Sequence, residues 1–189
     1  MMRLTPFVVL LLAMAWQSSL AAGKETWHQN TQLLPQYCKD RQAGRGDKWR
    51  KTFGDTYIHM HHYCAGIFAE QKAKSTMDQR ERVGWLQRVV SQMRYVSDSC
   101  DTRCVLYPEL HTRWGWALSE QGQVGEAVRH YQLAIKAKRN YTLAYVRLSE
   151  LYLDLNQPDE ARKILQSGLK ARPNSSALKK RLKKLKSSE

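Results

Sequence analysis

Two consecutive stretches of the chain share one pattern at an offset of 34 residues. The first stretch, 109–140, reads ELHTRWGWALSEQGQVGEAVRHYQLAIKAKRN, and the second, 143–174, reads LAYVRLSELYLDLNQPDEARKILQSGLKARPN. Ala127 aligns with Ala161, and Gly122 aligns with Asn156. A fixed period of this length is typical of proteins built from stacked, identical supersecondary units. The period therefore predicts the fold of the C-terminal part of the chain.

Within each stretch the residue pattern predicts two antiparallel helices joined by a tight turn. In the first stretch, the small residues Gly115, Ala127 and Ala134 allow close helix packing, and Tyr131 fills the space beside them. Gly122 falls at the turn. This pattern resembles the tetratricopeptide repeat, which has the same period and the same helix-turn-helix organisation. The resemblance extends over residues 108–175 and implies a protein-binding module.

Two such repeats cannot bury a continuous core, so further helices must flank them. Spacing predicts a degenerate third pair over 57–74 and 78–96, preceded by a short helix at 35–42, with an amphipathic helix capping the C-terminus at 176–187. No segment alternates with period 2, which argues against a sheet. We expect an all-α fold, an α-solenoid of about three antiparallel helix pairs of the tetratricopeptide type, with an N-terminal extra helix and a C-terminal capping helix.

The N-terminus has the features of a secretory signal. Arg3 precedes an apolar stretch over 7–16, and the small residues Ala21, Ala22 and Gly23 follow. This pattern predicts cleavage near Ala22 and an exported protein, periplasmic in a bacterium or otherwise secreted. The expected organisation is a signal peptide over 1–22, an N-terminal helical region with the cysteines over 23–106, two repeats over 107–175, and the basic helix over 176–189.

The overall charge invites anionic partners. The chain has 189 residues and a formal net charge of +14, with 42% hydrophobic residues, so it has enough apolar side chains for a folded core. Such a charge suits nucleic acid, an anionic membrane surface, or an acidic protein or polysaccharide. Because an exported protein rarely meets nucleic acid, we expect no nucleic-acid partner, and we expect a monomer that binds other proteins.

The four cysteines indicate disulfides in an oxidising compartment. They lie at Cys38, Cys64, Cys100 and Cys104, and three pairings are possible. We favour Cys38 with Cys64, which would join neighbouring helices, and Cys100 with Cys104, which would close a short loop. Free buried thiols are the alternative.

A cluster from His59 to Cys64 contains several side chains that can bind a transition metal. On a helix His59 and His62 share a face, which makes this pair the candidate metal ligands. A closed site would need further ligands such as Cys38 or His111. No C-x-x-C-H haem motif is present, and tight packing of the histidines is the alternative interpretation. We expect no cofactor, with metal or haem handling in the periplasm as an alternative function.

Motifs of common enzymes are absent from the sequence. We find no P-loop, no G-x-G-x-x-G, no G-x-S-x-G and no H-E-x-x-H. The carboxylate pair Asp159 and Glu160 begins a helix, where acidic residues favour the positive end of the helix dipole. We therefore do not expect an enzyme.

The resemblance implies a concave groove lined by the first helix of each repeat. Trp and Arg are the residue types that most often anchor interfaces, although Trp116 could equally be buried. Relatives that clamp a C-terminal carboxylate use Lys and Asn where this chain has Thr112, Trp116, Val146 and Glu150, so that function is not expected. The candidate protein-binding residues are Arg113, Trp116, Glu120, Arg147 and Glu150.

The last 20 residues are strongly basic. Residues 170–189 contain eight Lys and Arg residues against one acid, Glu189. A leucine face and a lysine face match a helix that lies on an anionic membrane. A capping helix whose charges keep the end of the solenoid soluble is the favoured interpretation. The candidate anionic-surface residues, which could also bind polysaccharide, are Lys179, Lys180, Arg181, Lys183 and Lys184.

These observations predict an exported scaffold or adaptor that binds another protein. By resemblance to exported relatives, the partner apparatus would serve envelope assembly, secretion or polysaccharide export. The alternatives are the metal- or haem-handling protein and the anionic-surface binder described above.

Overall fold

The computed structural model describes residues 32–186, and within that range every regular element is helical. Two 3-10 segments, Gly46–Trp49 and Gly54–His59, flank the second helix. The helices are α1 (Gln36–Gln42), α2 (Arg50–Phe53), α3 (Met60–Ser75), α4 (Gln79–Ser97), α5 (Tyr107–Glu120), α6 (Val124–Ala137), α7 (Thr142–Asp154), α8 (Pro158–Ala171) and α9 (Ser176–Lys186). The expected all-α solenoid of antiparallel helix pairs is confirmed.

Successive helices pack as pairs that stack along one axis. The pairs are α3 with α4, α5 with α6 and α7 with α8, and α9 packs on α8 and α7. The first helices also contact each other, α3 with α5, α5 with α7 and α7 with α9, whereas the second helices make no comparable contact among the described residues. Helices that touch lie on the inside of a curve, so α3, α5, α7 and α9 form the concave face.

Small residues at the predicted positions allow this packing. A Cβ on Gly115 would lie 2.9 Å from Cε1 of Tyr131, and a Cβ on Gly168 would lie 2.9 Å from Cδ1 of Leu178. A Cβ on Gly66 of α3 would likewise lie too close to the side chain of Met93 in α4. Any larger residue would push the paired helices apart, because interiors are close-packed.

The turn inside each repeat uses a left-handed residue. Gly122 has φ 73° and Asn156 has φ 57°, at positions 34 residues apart. Glycine adopts this conformation without steric cost, and Asn is one of the few other residues that visit it routinely. The aligned positions therefore perform the same structural role in both repeats.

The region before α3 differs from the sequence-based expectation. The helix predicted from Tyr57 begins only at Met60, because Gly54–His59 is a 3-10 segment, and α2 was not predicted. An aromatic cluster explains the extra turns, since Tyr37 packs edge-on against both Trp49 and Phe53 with ring centroids 6.1 and 5.3 Å apart. Such contacts have no helical period and leave little trace in the sequence.

Two disulfides stabilise this N-terminal region. Cys38 of α1 is bonded to Cys64 of α3, and Cys100 to Cys104 in the connection between α4 and α5. This is the pairing that the sequence favours. The hydroxyl of Thr56 donates to the Ser99 carbonyl oxygen at 2.9 Å, which ties the second loop to the 3-10 segment before α3.

The C-terminal helix closes the hydrophobic core of the second repeat. Leu178 and Leu185 are buried against Tyr145 and Leu165. None of the helices in the described range has the length and apolar character needed to cross a membrane. The predicted signal peptide, residues 1–22, lies outside the described residues, and the predicted domain boundaries stay predictions.

Candidate protein-binding groove

Two cavities lie side by side on the concave face. A cavity of about 230 Å³ lies between α5 and α7, and one of about 810 Å³ lies between α7 and α9. Both are lined by Glu150. The smaller one is lined by Trp116, Ser119, Glu120, Tyr131, Arg147, Glu150, Leu151 and Asp154. The larger one is lined by Ser149, Glu150, Leu153, Leu165, Lys180, Arg181, Lys183, Lys184 and Leu185.

Glu150 connects the two cavities electrostatically. Its carboxylate accepts a hydrogen bond from Nη1 of Arg147 at 3.2 Å and another from Nη2 of Arg181 at 2.9 Å. Arg147 is on the same helix, whereas Arg181 is on α9. All three side chains are partly exposed. The groove residues Arg147 and Glu150 predicted from the sequence thus lie together, and α9 joins them through Arg181.

The larger cavity combines cations with an apolar floor. Leu165 and Leu185 are buried at its base, while Leu153 is 43% exposed. Four cationic residues of α9, at positions 180, 181, 183 and 184, line its rim. This cavity can accept an apolar side chain and, beside it, several carboxylates. Sequence reasoning treated these lysines as part of either a solenoid cap or an anionic-surface helix and missed the leucine floor, which only the docking of α9 creates.

The smaller cavity is acidic and aromatic. Glu120 and Asp154 bring carboxylates to its rim, and Arg147 brings the cation. Trp116 is only 5% exposed, so of the two alternatives that the sequence left open, an exposed anchor or a buried side chain, the structure has the buried one. The ammonium of Lys74 lies 4.4 Å from the Trp116 ring centroid and covers it. Trp116 is therefore the floor of the groove, with its indole packed by α3.

Arg113 and Glu120 are engaged in ion pairs with other helices. Arg113 donates to Glu70 of α3 and to Glu109 of its own helix, and Glu120 pairs with Arg82 of α4. Burial alone would raise the pKa of Glu70, but Arg113 and Lys74 outweigh it and the pKa lies below its ordinary value. Among the predicted groove residues, Arg113 thus serves to hold α3 against α5.

The histidine cluster is arranged around one tyrosine. The ring of His62 lies 3.9 Å from the Tyr95 ring and that of His59 5.4 Å from it, centroid to centroid, and the rings of His61 and His62 are 4.2 Å apart. Partial desolvation, followed by the proximity of His62, lowers the pKa of the exposed His61. The structure therefore brings His61 into the cluster beside the predicted pair.

The further metal ligands suggested by the sequence are used elsewhere. Cys38 and Cys64 are bonded to each other, and His111 lies against His130. Over residues 32–186 no group of three or more His, Cys, Asp or Glu side chains could hold a metal ion. The closed site with Cys38 or His111 as a ligand is therefore wrong for this part of the chain.

His111 and His130 form a buried pair that the sequence did not predict. The Nδ1 atoms of His111 and His130 are 2.7 Å apart, and both side chains are buried between α5 and α6. The ring of Trp114 stacks on His130 at 4.2 Å. Burial, with a smaller contribution from neighbouring positive groups, lowers the pKa of each histidine to about 4. The two residues are 19 positions apart, so only the helix pairing brings them together.

The basic C-terminal helix keeps its apolar face inside the protein. Leu178 is fully buried and Leu185 is 6% exposed, so this face is not available to insert into a bilayer while α9 is docked. Lys179, Lys180, Lys183 and Lys184 are exposed, and Arg181 is paired with Glu150. The fully interfacial helix considered from the sequence is thus inconsistent with the docked structure, and anionic-surface binding by the exposed cations stays a prediction.

Comparisons with known proteins returned two findings. The family model of the tetratricopeptide repeat matches residues 118–185, which span the second half of the first repeat, the second repeat and most of α9. Among solved structures it is similar to the first TPR of Spaghetti (RPAP3) bound to the HSP90 peptide SRMEEVD, at a TM-score of 0.47 and 21% identity over 65% of this chain and 94% of that one. No curated protein matches the chain.

Proposed function

We propose that this protein is an exported scaffold that binds a segment of another protein along the concave face of α5, α7 and α9. The observation that carries the proposal is the pair of adjacent cavities joined at Glu150. Together they form one continuous groove, called the track below, which is acidic at the smaller cavity and basic at the larger one. In repeat solenoids the concave face is the extended surface used for binding.

The charges of the track define the partner. The larger cavity has cations at its rim and leucines at its base, which suits an acidic segment that carries an apolar side chain. A partner carboxylate there would compete with Glu150 for Arg181, because both are anions within reach of one guanidinium. The carboxylates of the smaller cavity, Glu120 and Asp154, would repel a uniformly acidic ligand. The segment would therefore be acidic at one end only.

Export is supported by two independent features. The signal-like pattern over 1–22 is one, and the two disulfides are the other, because disulfides persist in oxidising compartments. We infer that the partner is a component of an envelope-assembly, secretion or polysaccharide-export apparatus, and that the protein acts as a monomer. Expression of the full chain with a reporter and fractionation of the cells tests export directly.

The groove is tested with a synthetic peptide. A fluorescent peptide with three Glu residues around one Leu, followed by Lys residues, is titrated against wild type and against the Lys180→Glu/Lys183→Glu variant. We expect at least a tenfold weaker affinity for the variant, because the attraction between the lysines and the peptide carboxylates is lost and the new Glu side chains repel those carboxylates. Arg129→Glu, which reverses a charge on α6 outside the groove, is the matched control and is expected to bind as wild type.

The order of charges in the peptide provides the discriminating comparison. A peptide with the same residues in scrambled order should bind more weakly than the designed one, whereas purely electrostatic attraction to the basic helix would treat the two alike. Equal binding of both peptides, or an undiminished affinity of the double variant, would refute the groove. If the Arg129→Glu control also lost affinity, the net charge of the protein rather than the groove would govern binding.

A further inference from the structure

The histidine cluster at the start of α3 has a feature that the groove does not use, namely two fixed imidazole tautomers. Nδ1 of His61 lies 3.1 Å from the carbonyl oxygen of Ile58, and Nδ1 of His62 lies 2.7 Å from Oε1 of Gln92. Both partner oxygens can only accept a hydrogen bond. Each Nδ1 therefore carries the hydrogen, and the Nε2 atom of each neutral ring keeps its lone pair.

This is the arrangement found around metal-binding histidines. A ligating imidazole almost always donates its other ring N–H to a carbonyl, carboxylate or water, which fixes its orientation and raises its basicity. In this protein two neighbouring rings are prepared in the same way, with their centroids 4.2 Å apart. Tyr95 packs on His62 and Gln92 holds it from α4, so the orientation is set by tertiary contacts.

The surroundings leave room for a metal ion and its remaining ligands. His61 is exposed, and it also lines a cavity of about 600 Å³ whose other ionisable side chains are Arg41, Asp47 and Tyr57. Because the described residues contain no group of three potential ligands, any site here has open positions. Imidazole nitrogen suits Zn²⁺, Cu²⁺ and Ni²⁺, and Cu²⁺ binds a given nitrogen site most tightly among the divalent first-row metals.

We propose that His61 and His62 form an open two-imidazole site for a divalent late transition metal, with Cu²⁺ the tightest-binding ion. The two Nε2 atoms are the ligands, and water or a group from a second molecule completes the coordination. Gln92 is a positioning residue that acts through His62. His59 is not included among the proposed ligands, because its ring packs edge-on against Tyr95, with the ring centroids 5.4 Å apart. The sequence-based pair of His59 and His62 is thereby replaced.

The test uses Cu²⁺ alone, titrated calorimetrically into the untagged full chain, with electron paramagnetic resonance of the bound ion. We expect binding of one ion and hyperfine structure from imidazole nitrogen. His61→Ala and His62→Ala should each weaken the affinity at least tenfold, and His59→Ala, the matched neighbour, should leave it unchanged. Far-UV circular dichroism of each variant confirms that it is folded.

Variants of Gln92 distinguish a role in orienting His62 for metal binding from a purely structural role. Gln92→Leu removes the acceptor and should weaken Cu²⁺ binding by about 10- to 100-fold, the usual range for loss of an outer-shell partner. Gln92→Glu restores an acceptor and should restore the affinity. The proposal is overturned if wild type takes up no Cu²⁺, if His61→Ala/His62→Ala binds it as wild type does, or if both Gln92 variants behave alike.

Discussion

The N-terminal region before α5 and the repeats from α5 onward achieve the same helix stacking by different means. Both place a glycine where two helices touch, Gly66 in the first region and Gly115 and Gly168 in the second. The N-terminal region adds a disulfide from α1 to α3 and an aromatic cluster, whereas the repeats rely on periodic side chains and a leucine cap. The difference shows that a regular repeat can be stabilised by periodic packing, while an irregular flank needs covalent and aromatic contacts.

The largest expected effect comes from breaking the long disulfide. Cys38→Ser/Cys64→Ser opens a loop with a sequence separation of 26 residues and should lower the free energy of unfolding by about 3.5 kcal/mol. Cys100→Ser/Cys104→Ser opens a separation of 4 residues and should cost only about 2 kcal/mol. Urea unfolding followed by circular dichroism measures both. Equal losses would contradict the chain-entropy account of this region.

Removal of the leucine cap should act on the repeats alone. Leu178 is fully buried, so Leu178→Ala should lower the free energy of unfolding by about 3 kcal/mol. The described tryptophans lie before the repeats or in α5, so tryptophan fluorescence reports the molecule up to α5, whereas circular dichroism also reports α6 to α9. Circular dichroism should therefore change at lower urea concentration than tryptophan fluorescence. Leu143→Ala, at a side chain that is 41% exposed, is the control and should change stability little. Coincident transitions would mean that the two regions unfold as one unit.

The buried histidine pair should make the first repeat sensitive to acid. His111 and His130 have pKa values of about 4 in the folded protein and ordinary values near 6.5 when unfolded. The unfolded chain therefore binds more protons between these values, and the stabilisation present above pH 6.5 is lost as the pH falls towards 4. Arg129 and His130 face His111, and Arg94 lies over the adjacent Trp114 ring, so nearby positive charge opposes protonation.

We expect a loss of at least about 2.5 kcal/mol between pH 7 and pH 4.5, because one pKa unit corresponds to about 1.4 kcal/mol and the unfolded chain takes up at least one more proton than the folded pair over the two units below pH 6.5. Thermal unfolding of wild type and of His111→Phe/His130→Leu, measured from pH 7 to pH 4.5, checks this. The variant should show a shallower pH dependence. A slope identical to that of wild type would show that the acid sensitivity arises elsewhere, for example at the exposed cluster around His61.

The smallest expected change in stability comes from replacing a glycine with alanine, and its sign depends on whether the new Cβ has space. Gly168→Ala places a Cβ 2.9 Å from Cδ1 of Leu178 and Cγ of Tyr145, and should cost about 1 to 2 kcal/mol. Gly84, in the middle of α4, has no neighbouring atom within 4 Å of that position. Gly84→Ala should therefore stabilise the protein by about 0.5 to 1 kcal/mol. Urea midpoints of the two variants should move in opposite directions, and a shift of both in one direction would refute the close approach at Gly168.

Local periodicity explains which features the sequence revealed. The helix pairs α5 with α6 and α7 with α8, and the turns at Gly122 and Asn156, followed from the 34-residue offset, and α9 followed from the helical spacing of its leucines. Each of these patterns lies in consecutive residues, so the sequence reveals it. The start of α3 and the whole of α2 could not be predicted from the sequence, because they depend on the packing of Tyr37 against Trp49 and Phe53. For the groove, the sequence indicated Arg147 and Glu150 but left open whether Trp116 is exposed, and the structure buries it with Lys74 over its ring.

By itself the sequence determined the repeat, the helical class, the pairing favoured for the cysteines and the basic character of the C-terminal helix. Only the tertiary structure decided where α9 docks, which joins Arg181 to Glu150 across 31 positions, and which ring nitrogens of the histidine cluster remain available through contact with Gln92, 30 positions away from His62. The physical reason is the range of the interactions. Helix formation and turn geometry depend on neighbours within a few residues, whereas a groove or an oriented imidazole depends on side chains that meet only after the helices have stacked.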